Sequence, residues 1–87
     1  MEIQEIKAVI EGVLFATGDA VSVEKLMEVA ECEKDDILKA ADELGKDYES
    51  ADRGIALVKL EDKLQLCTKA DLYPYLAKIS NFALSIK

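Results

Sequence analysis

The spacing of the apolar residues changes twice along this chain, at Gly54 and again after Lys69. Before Gly54 they recur every three or four residues, as in helices packed on a core, and after it they alternate with more polar neighbours, as in strands. A helical stripe returns beyond Lys69. Because 87 residues can enclose only one hydrophobic core, we expect one mainly α-helical domain with a small β-hairpin.

The order of the predicted elements is that of a winged helix-turn-helix fold. The predicted helices span residues 2–16, 23–30, 34–49 and 71–80, and the predicted wing strands span residues 55–60 and 64–68. Gly18 suits the left-handed residue that ends a helix, Ser22 is a favoured N-cap, and Pro74 is tolerated in a first turn. The winged-helix domain is therefore placed at residues 1–80. Residues 81–87 stay apolar at helical spacing, so more sequence is expected after them.

The charge distribution argues against DNA as the main partner. The net charge is -7, and residues 33–49, around the predicted recognition helix, carry seven acids and three lysines. A recognition helix gains affinity for DNA when its Lys and Arg side chains contact phosphates. This segment has no excess of such cations. A winged-helix DNA-binding transcription regulator therefore remains only the alternative function. The acidic first half of the chain is either a solvated face or a docking surface.

No pattern in the sequence indicates catalysis, and no cofactor or metal is expected. The chain has no His, no glycine-rich phosphate loop and no nucleophile in a recognisable motif. Cys32 and Cys67 are far apart and are interpreted as reduced, Cys67 as a small buried strand residue. The N-terminus lacks the features of a signal peptide, and no stretch approaches membrane-spanning length, so a cytoplasmic protein is predicted.

Apolar and aromatic residues beyond those needed for one core are the candidates for a protein interface. One set forms a second stripe on the first helix, and the other follows the wing, where tyrosines offer large contact area at low entropic cost. Two interpretations stay open for each set. The stripe on the first helix packs internally or against a partner, and the aromatic residues after the wing pack onto the wing and the first helix or are covered by self-association in a homodimer. The candidates are Ala8, Gly12, Phe15, Tyr73, Tyr75, Leu76, Ile79 and Phe82.

Several segments resemble the ScpB family, the segregation and condensation protein B family. Residues 6–26 (IKAVIEGVLFATGDAVSVEKL) are similar to its opening, and residues 53–58 (RGIALV) with 64–69 (LQLCTK) are similar to its wing. Tyr73-Pro74-Tyr75-Leu76 then fits its next helix. The resemblance covers nearly the whole chain. It departs from the family pattern at Asp19-Ala20 and at residues 61–63, which replace a glycine-rich turn.

The resemblance implies a non-enzymatic subunit of the SMC chromosome-condensation complex. Members of the family dimerise and bind the kleisin subunit ScpA, and through it SMC, which holds the ATPase. They contain two winged-helix domains, of which the first contributes to the dimer and the second makes the main kleisin contact. Residues 78–84 resemble the entry into the second domain, so this chain is expected to hold the first, and to associate with the nucleoid through the complex.

Overall fold

The structure is a computed structural model that describes residues 1–79. It consists of three helices, a three-stranded antiparallel sheet and a short helical segment at the end, consistent with a winged helix. The elements are α1 (Ile3–Thr17), β1 (Val21–Ser22), α2 (Val23–Ala30), α3 (Lys34–Asp47), β2 (Ile55–Leu60), β3 (Lys63–Thr68), a 3₁₀ turn (Ala70–Leu72) and α4 (Tyr73–Leu76). The bounds of α1, α2, α3 and both wing strands differ from the predicted bounds by at most two residues.

Local sequence signals set the ends of the first three helices. Gly18 follows α1 with φ 65°, in the left-handed region that glycine adopts without strain. The Ser22 hydroxyl accepts a hydrogen bond of 3.0 Å from the backbone N–H of Lys25 at the start of α2. At the start of α3, Glu33 and Asp36 form a reciprocal capping box. Two of the seven acids counted in residues 33–49 therefore accept hydrogen bonds from backbone N–H groups at the start of α3.

The core lies between α1, α2 and α3 and is closed on one side by the sheet. The buried helical residues recur every three or four positions, as Ile6, Ile10 and Leu14 of α1 do. The sheet contributes Leu64 as its fully buried residue. The other buried residues of the core are Val23, Leu26, Ala30, Ile37, Ala40, Ala41, Leu44 and Tyr48.

The wing is part of a sheet with the order β1-β3-β2. The short extended piece predicted near Val21 is a true strand, in which Val21 pairs with Leu64. Glu61 and Asp62 form the turn between β2 and β3, and Glu61 has φ 59°. Since a non-glycine residue is strained in this region, the replacement of a glycine-rich turn by residues 61–63 has a local cost of about 1 kcal/mol.

The prediction of a continuous helix over residues 71–80 is wrong. The segment begins as a 3₁₀ turn at Ala70–Leu72, and the α-helical part ends at Leu76. No residue of α4 is buried. Most helical stability in proteins comes from packing an apolar face, and Ile79, the next described residue of the predicted stripe, is 55% exposed, so it does not anchor a longer helix on the core. The predicted second domain, from residue 81, lies outside the described residues.

The interpretation of Cys67 as a buried residue is also wrong, because its side chain is exposed on β3. Cys67 lies opposite Ala56 in the ladder between β2 and β3. Side chains alternate between the two faces of a strand, so Cys67 and its neighbour Leu66 point to opposite faces, and Leu66 packs against the core. Within residues 1–79, no helix has the length and apolarity needed to span a bilayer.

Candidate protein-interaction surface

The second stripe of α1 lies on the outside of the domain. Ala8, Gly12 and Phe15 are all exposed, and the exposed fraction of Phe15 is 80%. A Cβ atom built on Gly12 has no neighbouring heavy atom within 4 Å. Of the two places considered for this stripe, the interior and a partner surface, the structure therefore excludes the interior.

Phe15 borders an apolar groove between the end of α1 and the sheet. The groove has a volume of about 210 Å³, with Leu14 and Phe15 on one side and Ile55 and Leu66 on the other. The exposed Cys67 lies at its rim. An exposed phenylalanine together with an apolar groove is a candidate site for contact with another protein.

The aromatic residues after the wing are also exposed. The exposed fractions are 45% for Tyr73, 67% for Tyr75 and 55% for Ile79, while Leu76 is half-buried. The interpretation in which Tyr73 and Tyr75 pack onto the wing and α1 is therefore wrong. Phe82, the last of the candidates, lies outside the described residues.

A close contact at Gly54 fixes the start of this C-terminal segment. A Cβ atom on Gly54 would lie 3.2 Å from Cδ1 of Leu72, so the glycine allows Leu72 to pack close to the beginning of β2. The next residue, Ile55, lines the groove beside Phe15. The two groups of candidate residues thus adjoin the same end of β2.

The contact between Tyr48 and Glu11 holds α3 against α1 and was not predicted from the sequence. Tyr48 is 1% exposed, and its hydroxyl donates a hydrogen bond of 2.5 Å to Oε2 of Glu11. Burial, followed by the hydrogen bond to Glu11 and the charge of that carboxylate, raises the pKa of Tyr48 above its ordinary value. Glu11 directly precedes Gly12, so this contact fixes the position of the exposed stripe on α1.

We expect the Tyr48→Phe variant to reveal this hydrogen bond through pH. At neutral pH the variant should be about 1–3 kcal/mol less stable, because it leaves Glu11 without its donor. Since the folded pKa of Tyr48 is raised, the unfolded chain loses the tyrosine proton first. The stabilisation is present below the ordinary pKa of tyrosine and is lost as pH rises above it, so the difference in stability between the two proteins should be smaller at pH 11 than at pH 7. Urea unfolding of both proteins at pH 7 and pH 11 measures it, and an equal difference at both pH values would contradict the assignment.

The acids of α3 are largely paired with lysines from other elements. Lys7 of α1 lies 2.6 Å from Asp47 and 3.9 Å from Glu43, and Lys59 of β2 lies 3.2 Å from Asp42. The exposed residues of α3 comprise three lysines and three aspartates: Lys34, Asp35, Lys39, Asp42, Lys46 and Asp47. The face that a DNA-reading winged helix presents to the double helix thus carries no excess of positive charge.

The titratable groups do not assemble into a recognisable reactive centre in the part of the chain that the structure describes. Across residues 1–79, no group of three or more Cys, Asp or Glu side chains is placed to hold a metal ion. Cys32 is half-buried, and burial raises the pKa of its thiol, which disfavours the reactive thiolate. The notable surface features are therefore apolar and aromatic.

Comparison with known proteins agrees with the fold and with the sequence resemblance. The family model described as "Segregation and condensation complex subunit ScpB" matches residues 8–85. The chain belongs to the ScpB family. Among curated relatives, segregation and condensation protein B of Lachnoclostridium phytofermentans is 37% identical over 81 residues, covering 93% of this chain and 43% of the relative. The Clostridioides difficile protein of the same name is 36% identical over 81 residues, covering 91% and 45%.

Solved structures of ScpB proteins have the same fold. The crystal structure of a dimer of ScpB N-terminal domain complexed with ScpA peptide matches with a TM-score of 0.84 and 35% identity, covering 88% of this chain and 96% of that one. ScpB from Mycobacterium tuberculosis also matches with a TM-score of 0.84, at 21% identity, covering all of this chain and 54% of its own. This chain thus spans less than half the length of the curated ScpB relatives and nearly all of an isolated N-terminal domain.

Proposed function

We propose that this chain is a non-catalytic subunit of the SMC–kleisin chromosome-condensation and segregation complex, in which it forms a homodimer and binds the kleisin ScpA. The observation that carries the proposal is the similarity to a solved ScpB N-terminal domain, which is a dimer complexed with an ScpA peptide. At 35% identity and a TM-score of 0.84, the two domains share their fold and about a third of their aligned residues.

The exposed apolar residues give this function a physical basis. Phe15, with the neighbouring Gly12 and Ala8, offers a face of α1 on which a second backbone can approach closely. Tyr73 and Tyr75 add aromatic area at the adjoining end of the sheet. Aromatic side chains in such positions contribute a large share of binding energy. We assign the contact between two copies of the chain to these surfaces, with Leu76 and Ile79 at their border.

The role of the subunit is to bind other proteins, and the chain itself performs no reaction. It joins SMC through ScpA and reaches the nucleoid as part of that assembly. A regulator that reads DNA sequence is the less favoured function, because the exposed face of α3 has equal numbers of lysines and aspartates. Affinity for duplex DNA comes mainly from neutralised phosphates, and this face supplies no net charge for it.

Sedimentation velocity tests the proposal directly. At micromolar concentration, the 87-residue chain is expected to sediment as a dimer, and ScpA of the same organism is expected to move with it as a larger species. A monomeric chain that also fails to sediment with ScpA would refute both parts of the proposal.

A further inference from the structure

The outer edge of β2 carries backbone groups that no other strand of residues 1–79 pairs with. The sheet order β1-β3-β2 places β2 at one side. The carbonyl of Gly54 accepts a hydrogen bond of 3.0 Å from the N–H of Lys69, which marks this pair as hydrogen-bonded across the ladder. Such pairs alternate in antiparallel strands, so the N–H and C=O groups of Ile55, Leu57 and Lys59 point away from β3.

A groove runs along this edge, between β2 and α3. It has a volume of about 280 Å³, and Leu57 and Lys59 form its strand side. Ala41 and Gly45 of α3 give it a floor of small residues. The ion pair between Lys59 and Asp42 crosses from the strand to the helix. The groove thus combines an open row of backbone donors and acceptors with a shallow apolar floor.

Gly45 keeps the floor of this groove low, and internal packing does not require a glycine there. A Cβ atom built on Gly45 has no heavy atom within 4 Å. A glycine inside a helix costs roughly 0.5–1 kcal/mol relative to alanine. α3 therefore accepts this loss of helix stability at a residue that lines the groove.

We propose that an extended segment of the ScpA partner occupies the α3–β2 groove and adds to β2 as a fourth strand. The inference rests on the proposed function and names the site at which the peptide binds. Ile55 to Lys59 extend over about 13 Å at the rise of a strand, which a segment of about five residues covers. Main-chain hydrogen bonds to an exposed strand edge give affinity, and pockets for alternate side chains give specificity. The small floor at Ala41 and Gly45 accepts apolar side chains of the added strand.

The occupant is a peptide strand because the unpaired edge of β2 offers the main-chain donors and acceptors that an antiparallel or parallel strand pairs with. Strands lie about 4.8 Å apart in a sheet, so an added strand would run directly alongside α3 over Gly45. The four charged residues at the groove, Asp42, Lys46, Glu49 and Lys59, sum to zero, which suits a segment with few charges on its inward side. The solved neighbour is itself complexed with a peptide.

Two pairs of variants test the site by fluorescence anisotropy with labelled 15-residue peptides that tile ScpA of the same organism. Lys59→Pro removes the outward N–H of an exposed residue without removing a bond to β3, whereas Lys59→Ala removes only the side chain. Gly45→Phe fills the floor, whereas Gly45→Ala adds one methyl group. For the tightest-binding peptide, we expect Kd to be at least roughly tenfold weaker for Lys59→Pro than for Lys59→Ala, and for Gly45→Phe than for Gly45→Ala.

Amide hydrogen exchange, followed by NMR, locates the added strand. On peptide addition the amides of Ile55, Leu57 and Lys59 should become protected, while those of Ala56 and Val58, already bonded to β3, should change little.

Three outcomes would contradict the proposal. If a tiled peptide binds, but these three amides exchange as before and both variants of each pair bind equally, the groove is wrong and the proposed function stands. If no tiled peptide binds the wild-type chain, kleisin binding and this site both fail. Protection that rises with protein concentration alone would identify a second copy as the occupant and overturn the proposal.

Discussion

Replacing Tyr48 with alanine is expected to lower the free energy of unfolding by about 3–5 kcal/mol, the range measured for deletion of buried aromatic side chains. Tyr48 is 1% exposed, and its ring closes the core between α1 and α3. The substitution leaves a cavity and also removes the donor to Glu11. Because small domains are marginally stable, a loss of this size removes a large part of the total. Urea unfolding followed by circular dichroism measures it.

Tyr75→Ala is the matched control for this prediction, since it makes the same chemical change at a tyrosine that is 67% exposed. Its expected effect on unfolding of the monomer is within about 0.5 kcal/mol, as for most surface substitutions. The comparison should be made at protein concentrations below the dimer dissociation constant, so that only folding contributes. Equal losses for the two tyrosines would show that Tyr48 does not hold α3 on α1 as described.

The Phe15→Asp variant is expected to separate the dimer while leaving the domain folded. The side chain is 80% exposed, so its loss removes little packing within one copy. At an interface, truncation of an aromatic anchor typically costs about 2–4 kcal/mol, and the new carboxylate adds a desolvation cost. The dimer dissociation constant should therefore rise by roughly 30- to 1,000-fold. Sedimentation equilibrium over a range of concentrations measures it.

Val29→Asp provides the control for charge and lost apolar surface. Val29 lies on α2 and is 49% exposed, outside the surfaces assigned to the dimer. We expect its dissociation constant to match that of the wild type. A dimer that tolerates Phe15→Asp but dissociates with Val29→Asp would place the self-contact on α2 and reject the α1 surface.

The order of the elements could be predicted from the sequence because each helix carries its own local signals. Gly18 and Ser22 mark a helix end and a helix start through backbone geometry and capping, which depend on neighbours within four residues. The change of apolar spacing at Gly54 likewise marks the passage from helices to strands. Such signals act over short distances, so they remain legible without knowledge of the fold.

The residues of the candidate interface could be predicted from the sequence, but the surface that they form together could not. Phe15 stands out as an aromatic residue outside the core stripe, whereas its groove is formed by Ile55 and Leu66, some forty and fifty residues later. The exposure of Tyr73 and Tyr75 depended on whether α4 would find a surface to pack on. That outcome is decided by the shape of the folded core.

The class of fold, the family and the set of apolar residues in excess of one core can be predicted from the chain alone, because they follow from local spacing, capping and sequence similarity. Four other features required the folded structure: the end of α4 at Leu76, the exposure of Cys67, the hydrogen bond between Tyr48 and Glu11, and the open edge of β2. Each of these depends on which distant segments the packed core brings together, and the burial that results has no local signature in the chain.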